Sequence, residues 1–354
     1  MNAILIVIVI VLIMVIVNMS VLTFRKGNNE KETYEKKFYS LGTIMTLTVY
    51  GKKGEKAVEE AEKKIMSIDD EMSVFKDYSE VSRINKNAGG ELLPVSQDTY
   101  FVIKKAIQFC RMSKGAFDIT IRPIVGLWGI GSDHARIPSQ SEIDDKLKLV
   151  NYEDVVLDEK NNAVGLKHKN QEIDLGGIAK GYAADQVKNI FLNKRIKSAL
   201  INLGGNVFAM GKKLNGQPFK IGIQNPLSER GDFVGIISVI NKSVVTSGNY
   251  ERYFNVNGKK LQHIIDPRTG HPSESKIISA TIISDLSIDG DGLSTGVYIL
   301  GINKALNLIQ SLNGIEAIFI TEDKKISVTS GIKDNFQLCN EEFILEKRSD
   351  LNEN

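Results

Sequence analysis

Residues 174–187 read DLGGIAKGYAADQV. A strand ending in Ile-Asp-Leu, two adjacent glycines and then a helix over about 178–192 make a tight strand-to-helix turn. Such a turn aims backbone N–H groups and a helix N-terminus at an anion, and Lys180 adds a point charge. The spacing matches neither Gly-x4-Gly-Lys-Ser/Thr nor Gly-x-Gly-x-x-Gly, so this is not the phosphate loop of either standard nucleotide motif. A tight connection carrying a solvated lysine accounts for the same residues, and the stretch alone leaves both readings open.

Outward from this turn the chain is a succession of short strands with helices placed irregularly among them. TIMTLTVYG (43–51) alternates Met45, Leu47 and Val49 with polar residues, as a half-buried strand does. Ala57, Val58, Ala61, Ile65 and Ile68 recur at helical spacing over about 54–70, and Tyr100 to Cys110 do the same over 97–113. Short strands are expected at 153–157, 163–166 and 171–175. Beyond the 178–192 helix, SALINLGG, FKIGIQNP, VGIISVINKSVVTSG, ERYFNVNGKKLQHIIDP and SATIISD alternate strand and turn, before a helix at 292–312 and a strand near 316–320. Runs of strands with scattered helices predict an α+β fold with a mostly antiparallel sheet and packed helices, not a regular βαβ array.

The composition is that of a globular protein: 42% hydrophobic and 25% charged residues in 354. A net charge of +2 supplies no basic field for nucleic acid. Cys110 and Cys339 show neither metal-binding nor disulfide-framework spacing. The N-terminus is different in kind, since AILIVIVIVLIMVIV (3–17) is unbroken apolar sequence followed by Met19, Val21, Leu22 and Phe24. It predicts an uncleaved membrane anchor over 1–24, then a charged spacer over 25–37, a folded domain over 38–345 and a polar tail over 346–354. Arg25 and Lys26 after the anchor, taken literally, would keep the domain in the cytoplasm.

Two further segments carry chemistry. IDGDGLST (288–295) fails as an EF-hand loop, because Leu293, Ser294 and Leu300 stand where an acid or amide, a glycine and a glutamate are required. Asp291 and Thr295 are four apart, so a helix beginning near Gly292 sets both oxygens at its first turn, a pair that suits a hard cation such as Mg²⁺. Asp291 as a helix N-cap fits that spacing equally. In HIIDPRTGHP (263–272), Asp266-Pro267 opens a turn, Gly270 permits positive φ, and His263 and Asp266 fall close enough to share a pocket. A turn with an exposed histidine is the plainer alternative.

LGTIMTL (41–47), MSVFKDYSEVSRIN (72–85), GAFDITIRPIVGLW (115–128), DLGGIAKGYAAD (174–185), INLGGN (201–206), IGIQNP (221–226), TSGNYERYF (246–254), HIIDPRTG (263–270) and DGLSTGVYILG (291–301) follow one another as they do in the ApbE family of flavin transferases, which the chain resembles over roughly 38–330. The resemblance implies a T-fold-like α+β domain and an FAD:protein FMN transferase. Such an enzyme cleaves the pyrophosphate of its substrate FAD, joins FMN to a Thr or Ser of an acceptor protein and releases AMP. Mg²⁺ is the implied metal, with Mn²⁺ and Ca²⁺ as alternatives, held by Asp291, Thr295 and the carbonyl of Gly177. By the same resemblance Lys180 offsets phosphate charge, His263 receives the acceptor hydroxyl's proton, and Asp266 orients His263. Flavin contacts would come from Met45, Ser73, Phe117, Asp118, Thr120, Lys180, Tyr250 and His263.

Relatives work mostly outside the cytoplasm, so an extracytoplasmic domain on a single N-terminal membrane anchor is expected, with a membrane redox-complex subunit as one acceptor. Where the family usually carries alanines, this chain has Gly290, Gly292, Ser294 and Gly296, which predicts a looser helix start. A metal-dependent FAD pyrophosphatase and a non-catalytic flavin-binding module are the alternatives.

Overall fold

The computed structural model describes residues 33–51, 53–130, 132, 134–229, 231–250, 253–256 and 259–346. The expected anchor over 1–24 lies outside these residues, and among them no helix is long and apolar enough to cross a membrane. Cys110 is buried, Cys339 is exposed, and both are free thiols.

A nine-stranded sheet forms the frame. Its order is β1 (Thr33–Ser40), β2 (Thr43–Tyr50), β6 (Ala199–Leu203), β7 (Asn206–Met210), β10 (Lys242–Gly248), β13 (Ile277–Ser284), β14 (Glu316–Thr321), β15 (Lys325–Val328) and β17 (Ile344–Leu345). All neighbours are antiparallel except β15 and β17. The fold is thus α+β and mostly antiparallel, as the strand runs imply.

The domain begins earlier than Phe38. β1 pairs with β2 from Thr33↔Tyr50 to Ser40↔Thr43, so residues 33–37 belong to the sheet and not to the spacer. Tyr34 and Phe38 pack inward, while Glu35, Lys37 and Tyr39 face outward. Charges on an exposed edge strand discourage pairing with another chain, and they disguise this strand as linker.

The helices α1 (Gly54–Met72), α2 (Glu80–Lys86), α3 (Gln97–Met112), α6 (Ala179–Asn193), α7 (Ser287–Leu300) and α8 (Ile302–Gln310) belong to the main body, while α4 (Arg122–Trp128) and α5 (Gln140–Leu147) form a small outlying pair. Leu47, Val49, Phe208 and Ile282 of the sheet meet Ile65 of α1, Val187 of α6 and Val297 of α7 in the largest core cluster. The other face of the sheet packs on a second sheet, β16 (Phe336–Leu338), β9 (Phe233–Val239) and β8 (Phe219–Gln224), through Ile237, Phe219, Val244 and Ile318. β13 lies between the two cores and is buried at all eight positions. Smaller sheets are β3 (Leu93–Pro94), β5 (Ala163–Leu166) and β4 (Val155–Asp158), and the hairpin β11 (Tyr253–Val256) with β12 (Lys259–Gln262).

Two expected elements differ. Residues 171–175 form no strand, because their backbone is bonded elsewhere: Asn85 grips Ile173 through both N–H and C=O at 2.7 and 2.9 Å, and Asp174 N donates to Ile119 O at 2.7 Å. The single helix expected over 292–312 is two, starting at Ser287 and broken at Gly301, whose φ of 77° is left-handed.

Candidate active site

The DLGGIAKG turn leads into α6, and α6 crosses α7 at Gly181. A Cβ at Gly181 would lie 2.5 Å from the Ser287 carbonyl oxygen and 2.7 Å from Ile288 Cα, so only hydrogen fits there. At this close approach the helices cap each other. Asp291 of α7 accepts from Gly181 N of α6 at 2.8 Å. Asp185 of α6 accepts from Ser287 N and Ile288 N of α7 at 2.8 and 2.9 Å. Neither helix has a side-chain cap from its own N-cap residue, and each receives its carboxylate from the other. Burial pushes the Asp185 carboxyl up to about 6, against the lowering effect of the two backbone bonds.

This arrangement corrects the N-cap reading of Asp291. With α7 starting at Ser287, Asp291 is a full turn inside the helix and 5% exposed. Its Oδ1 lies 3.6 Å from the Lys180 ammonium, which donates to the Gly176 carbonyl at 3.1 Å. Asp174 Oδ1 shapes the turn by accepting from Gly176 N at 2.8 Å. One turn along α7 from Asp291, Thr295 is half-buried, and Ser247 of β10 touches its hydroxyl at 3.2 Å and donates to Ser294 at 2.9 Å.

Among the described residues no three His, Cys, Asp or Glu side chains gather to hold a metal. A cation at this place would draw on one carboxylate together with hydroxyl and carbonyl oxygens. Asp291, Thr295 and the Gly177 carbonyl, the expected donors, are oxygens of the kind a hard ion takes while keeping other oxygen ligands. Lys180 is the positive group that lies against Asp291 here.

The glycines of α7 serve close packing, which corrects the expectation of a loose helix start. Added Cβ atoms would meet Val245 at 2.9 Å from Gly290, Phe109 at 2.3 Å from Gly292 and Ser113 at 3.0 Å from Gly296. The helix is seated tightly on β10 and α3 because these positions lack side chains.

Phe117 lines the same locus: its ring edge would lie 2.9 Å from a Cβ at Gly177 and its Cβ 3.3 Å from one at Gly296. The Asp118 and Thr120 side chains are bonded to each other and to the neighbouring loop. Asp118 accepts from Thr120 N and Oγ1 and from Tyr152 N, while Thr120 Oγ1 accepts from Asn151 N, so the pair staples two loops in the interior. Burial raises the Asp118 carboxyl. Met45 is fully enclosed in the largest core cluster, where its thioether has packing partners and no open face. Their appearance in motifs reflects the building of the site's walls.

The remaining expected contacts stand on exposed or half-buried loops. Ser73 accepts from Phe75 N at 3.2 Å, and Tyr250 packs its ring against Gly248. His263 is half-buried and directly follows Gln262, whose side chain accepts from Tyr298 of α7 at 2.7 Å, so the histidine is tied to the helix that carries Asp291. Asp266 pairs with Arg268. Both its oxygens bind Arg268, from Nε at 2.8 Å and Nη2 at 2.6 Å, and its backbone closes the turn at Gly270.

Sequence reasoning missed Asp185 and Phe75. Asp185 sits on a different helix from the one it caps, which leaves no local signal. Phe75 is 85% exposed two residues from Ser73, with the Arg122 guanidinium 5.3 Å from its ring centre. An exposed aromatic backed by a cation offers a stacking platform.

Known proteins share this sequence pattern and fold. The model of the ApbE family matches residues 41–319. An FAD:protein FMN transferase of Klebsiella pneumoniae is 36% identical over 75% of this chain and 82% of its own. One from Treponema pallidum is 31% identical over 91% and 93%. The crystal structure of the ApbE protein from Thermotoga maritima superposes with a TM-score of 0.80 at 31% identity, covering 86% of this chain and 99% of that one. The flavin transferase ApbE from Vibrio cholerae gives 0.77 at 27% identity, with the same coverage.

Proposed function

The chain belongs to the ApbE family, and we propose that it transfers FMN from FAD to a Thr or Ser hydroxyl of an acceptor protein in a Mg²⁺-dependent reaction that releases AMP. Flavin transfer follows from relatives named FAD:protein FMN transferase. The observation that carries the finer reading is the convergence at the α6–α7 crossing of Asp291, Lys180 and the Gly176–Gly177 turn.

Asp291, Thr295 and the Gly177 carbonyl would hold the metal, which when bound neutralises charge on the pyrophosphate and on the departing AMP. Lys180 reaches the same oxygens from the first turn of α6. The acceptor hydroxyl oxygen forms a bond to the FMN-side phosphorus while the bond from that phosphorus to the bridging oxygen breaks. His263 takes the hydroxyl proton, and the Tyr298–Gln262 bond keeps its segment against α7. Arg268 and Asp266 fix the turn that follows. Ser73, Phe75, Phe117 and Tyr250 would supply contacts to the flavin.

Incubation with FAD, Mg²⁺ and an acceptor carrying an accessible threonine tests this. AMP should appear in step with an FMN-sized mass gain on the acceptor, and acceptor Thr→Val should remove the gain. AMP released equally with and without acceptor, with no mass gain, would make the protein an FAD pyrophosphatase. FAD bound but never cleaved would make it a flavin-binding module.

A further inference from the structure

Lys180 stands where an incoming cation must go. Its ammonium bridges the Gly176 carbonyl, at 3.1 Å, and Asp291 Oδ1, at 3.6 Å. Asp291 cannot turn away, because Gly181 N holds its other oxygen. The Asp291 side chain is 7% exposed and that of Lys180 is 25% exposed, so the carboxylate depends on a nearby counter-charge more than the ammonium does. Lys180 is also the second residue of α6, at the helix end whose dipole disfavours a positive charge. Asp291 holds it there against that field.

Resting on the metal reading above, we propose that Lys180 is a resident cation that occupies the seat at Asp291 until Mg²⁺ displaces it. Two cations cannot share one carboxylate oxygen at these distances without strong repulsion. The lysine's flexible four-carbon stem lets the ammonium swing out while the backbone stays fixed. The displaced ammonium remains within a side chain's length of the metal seat, where the pyrophosphate oxygens of FAD would receive it. Lys180 thus sets metal affinity: it holds Mg²⁺ binding weak in the absence of substrate and makes the two bind cooperatively, because the pyrophosphate gives the displaced charge a new partner.

Calorimetric titration of the full chain with MgCl₂, without FAD, tests the idea in wild type, Lys180→Met and Asp291→Asn. Lys180→Met should bind Mg²⁺ about tenfold more tightly, since the ion no longer has to displace the ammonium from Asp291. It should also lose the dependence of Mg²⁺ affinity on added ADP, used as a pyrophosphate probe. Damage to the fold would weaken binding, so a gain in affinity is not a by-product of structural harm. Equal or weaker Mg²⁺ binding by Lys180→Met overturns the proposal. Asp291→Asn should lose Mg²⁺ binding; if it titrates like wild type, the metal seat lies elsewhere and the underlying reading fails with it.

Discussion

At the α6–α7 crossing, two buried carboxylates are each bonded to the opposite helix and the backbones touch through a glycine. The loops across the site are unlike this: Phe75 and Tyr78 are 85% and 68% exposed, and His263 is half-buried in the segment after a hairpin. The contrast separates two tasks. On the proposed reading, positioning a pyrophosphate calls for a fixed backbone, and the interlocking caps supply one. On the same reading, admitting an acceptor protein calls for a surface, which the exposed loops offer.

The largest expected effect bears on the rigid side. Gly181→Val should cost about 4 kcal/mol or more, because its side chain meets backbone atoms of α7 that cannot give way. Chemical denaturation measures it. If Gly181→Val instead unfolds at the wild-type midpoint, the two helices are not locked, and the contrast between the regions dissolves.

A smaller effect concerns Asp185. Its folded value, about 6, lies above the ordinary 3.8. The folded state therefore takes up this proton first, and its contribution to stability rises as pH falls through about 6, is complete below about 3.8 and is lost again above 6. Relative to Asp185→Asn, wild type should gain about 2 kcal/mol on going from pH 7 to pH 4, at roughly 1.4 kcal/mol per unit between the two values. Parallel denaturation of the two proteins across that range gives the difference, and a flat difference would place Asp185 in contact with water instead of within the crossing. The smallest effect is a control on open ground: Gly126→Ala in α4, where a Cβ meets nothing within 4 Å, should stabilise by about 0.5–1 kcal/mol.

Much of this architecture was legible in the sequence, for reasons that also explain where reading stopped. The alternation of Met45, Leu47 and Val49 marked β2, and the spacing from Ala57 to Ile68 marked α1, because local period follows burial on one face. The turn at Gly176–Gly177 and the Asp291–Thr295 pair were visible as residue types at useful spacing. The start of α7 was not, since its cap, Asp185, lies 102 residues away in the chain. Nor does a motif distinguish residues that touch a ligand from those that support the ones that do. Asp118 and Thr120 stood in the same stretch as Phe117, yet their hydrogen bonds close inward on Asn151 and Tyr152. The charges of residues 33–37 hid an edge strand because such a strand needs only one apolar face.

The claim that the α6–α7 crossing holds the pyrophosphate chemistry while the His263 loop serves the acceptor is tested most directly by Mg²⁺-dependent AMP release from FAD in Asp291→Ala and His263→Ala, each with and without acceptor. Asp291→Ala should release no AMP in either condition while staying folded, since leaving the buried Gly181 N–H without its partner costs only about 1–3 kcal/mol. His263→Ala should slow transfer to the acceptor by about 10²–10⁴-fold, the weight of a positioned general base, while still binding FAD. Mg²⁺-dependent AMP release persisting in Asp291→Ala would contradict the account, reducing Asp291 to a helix cap and placing the clamp elsewhere in the molecule.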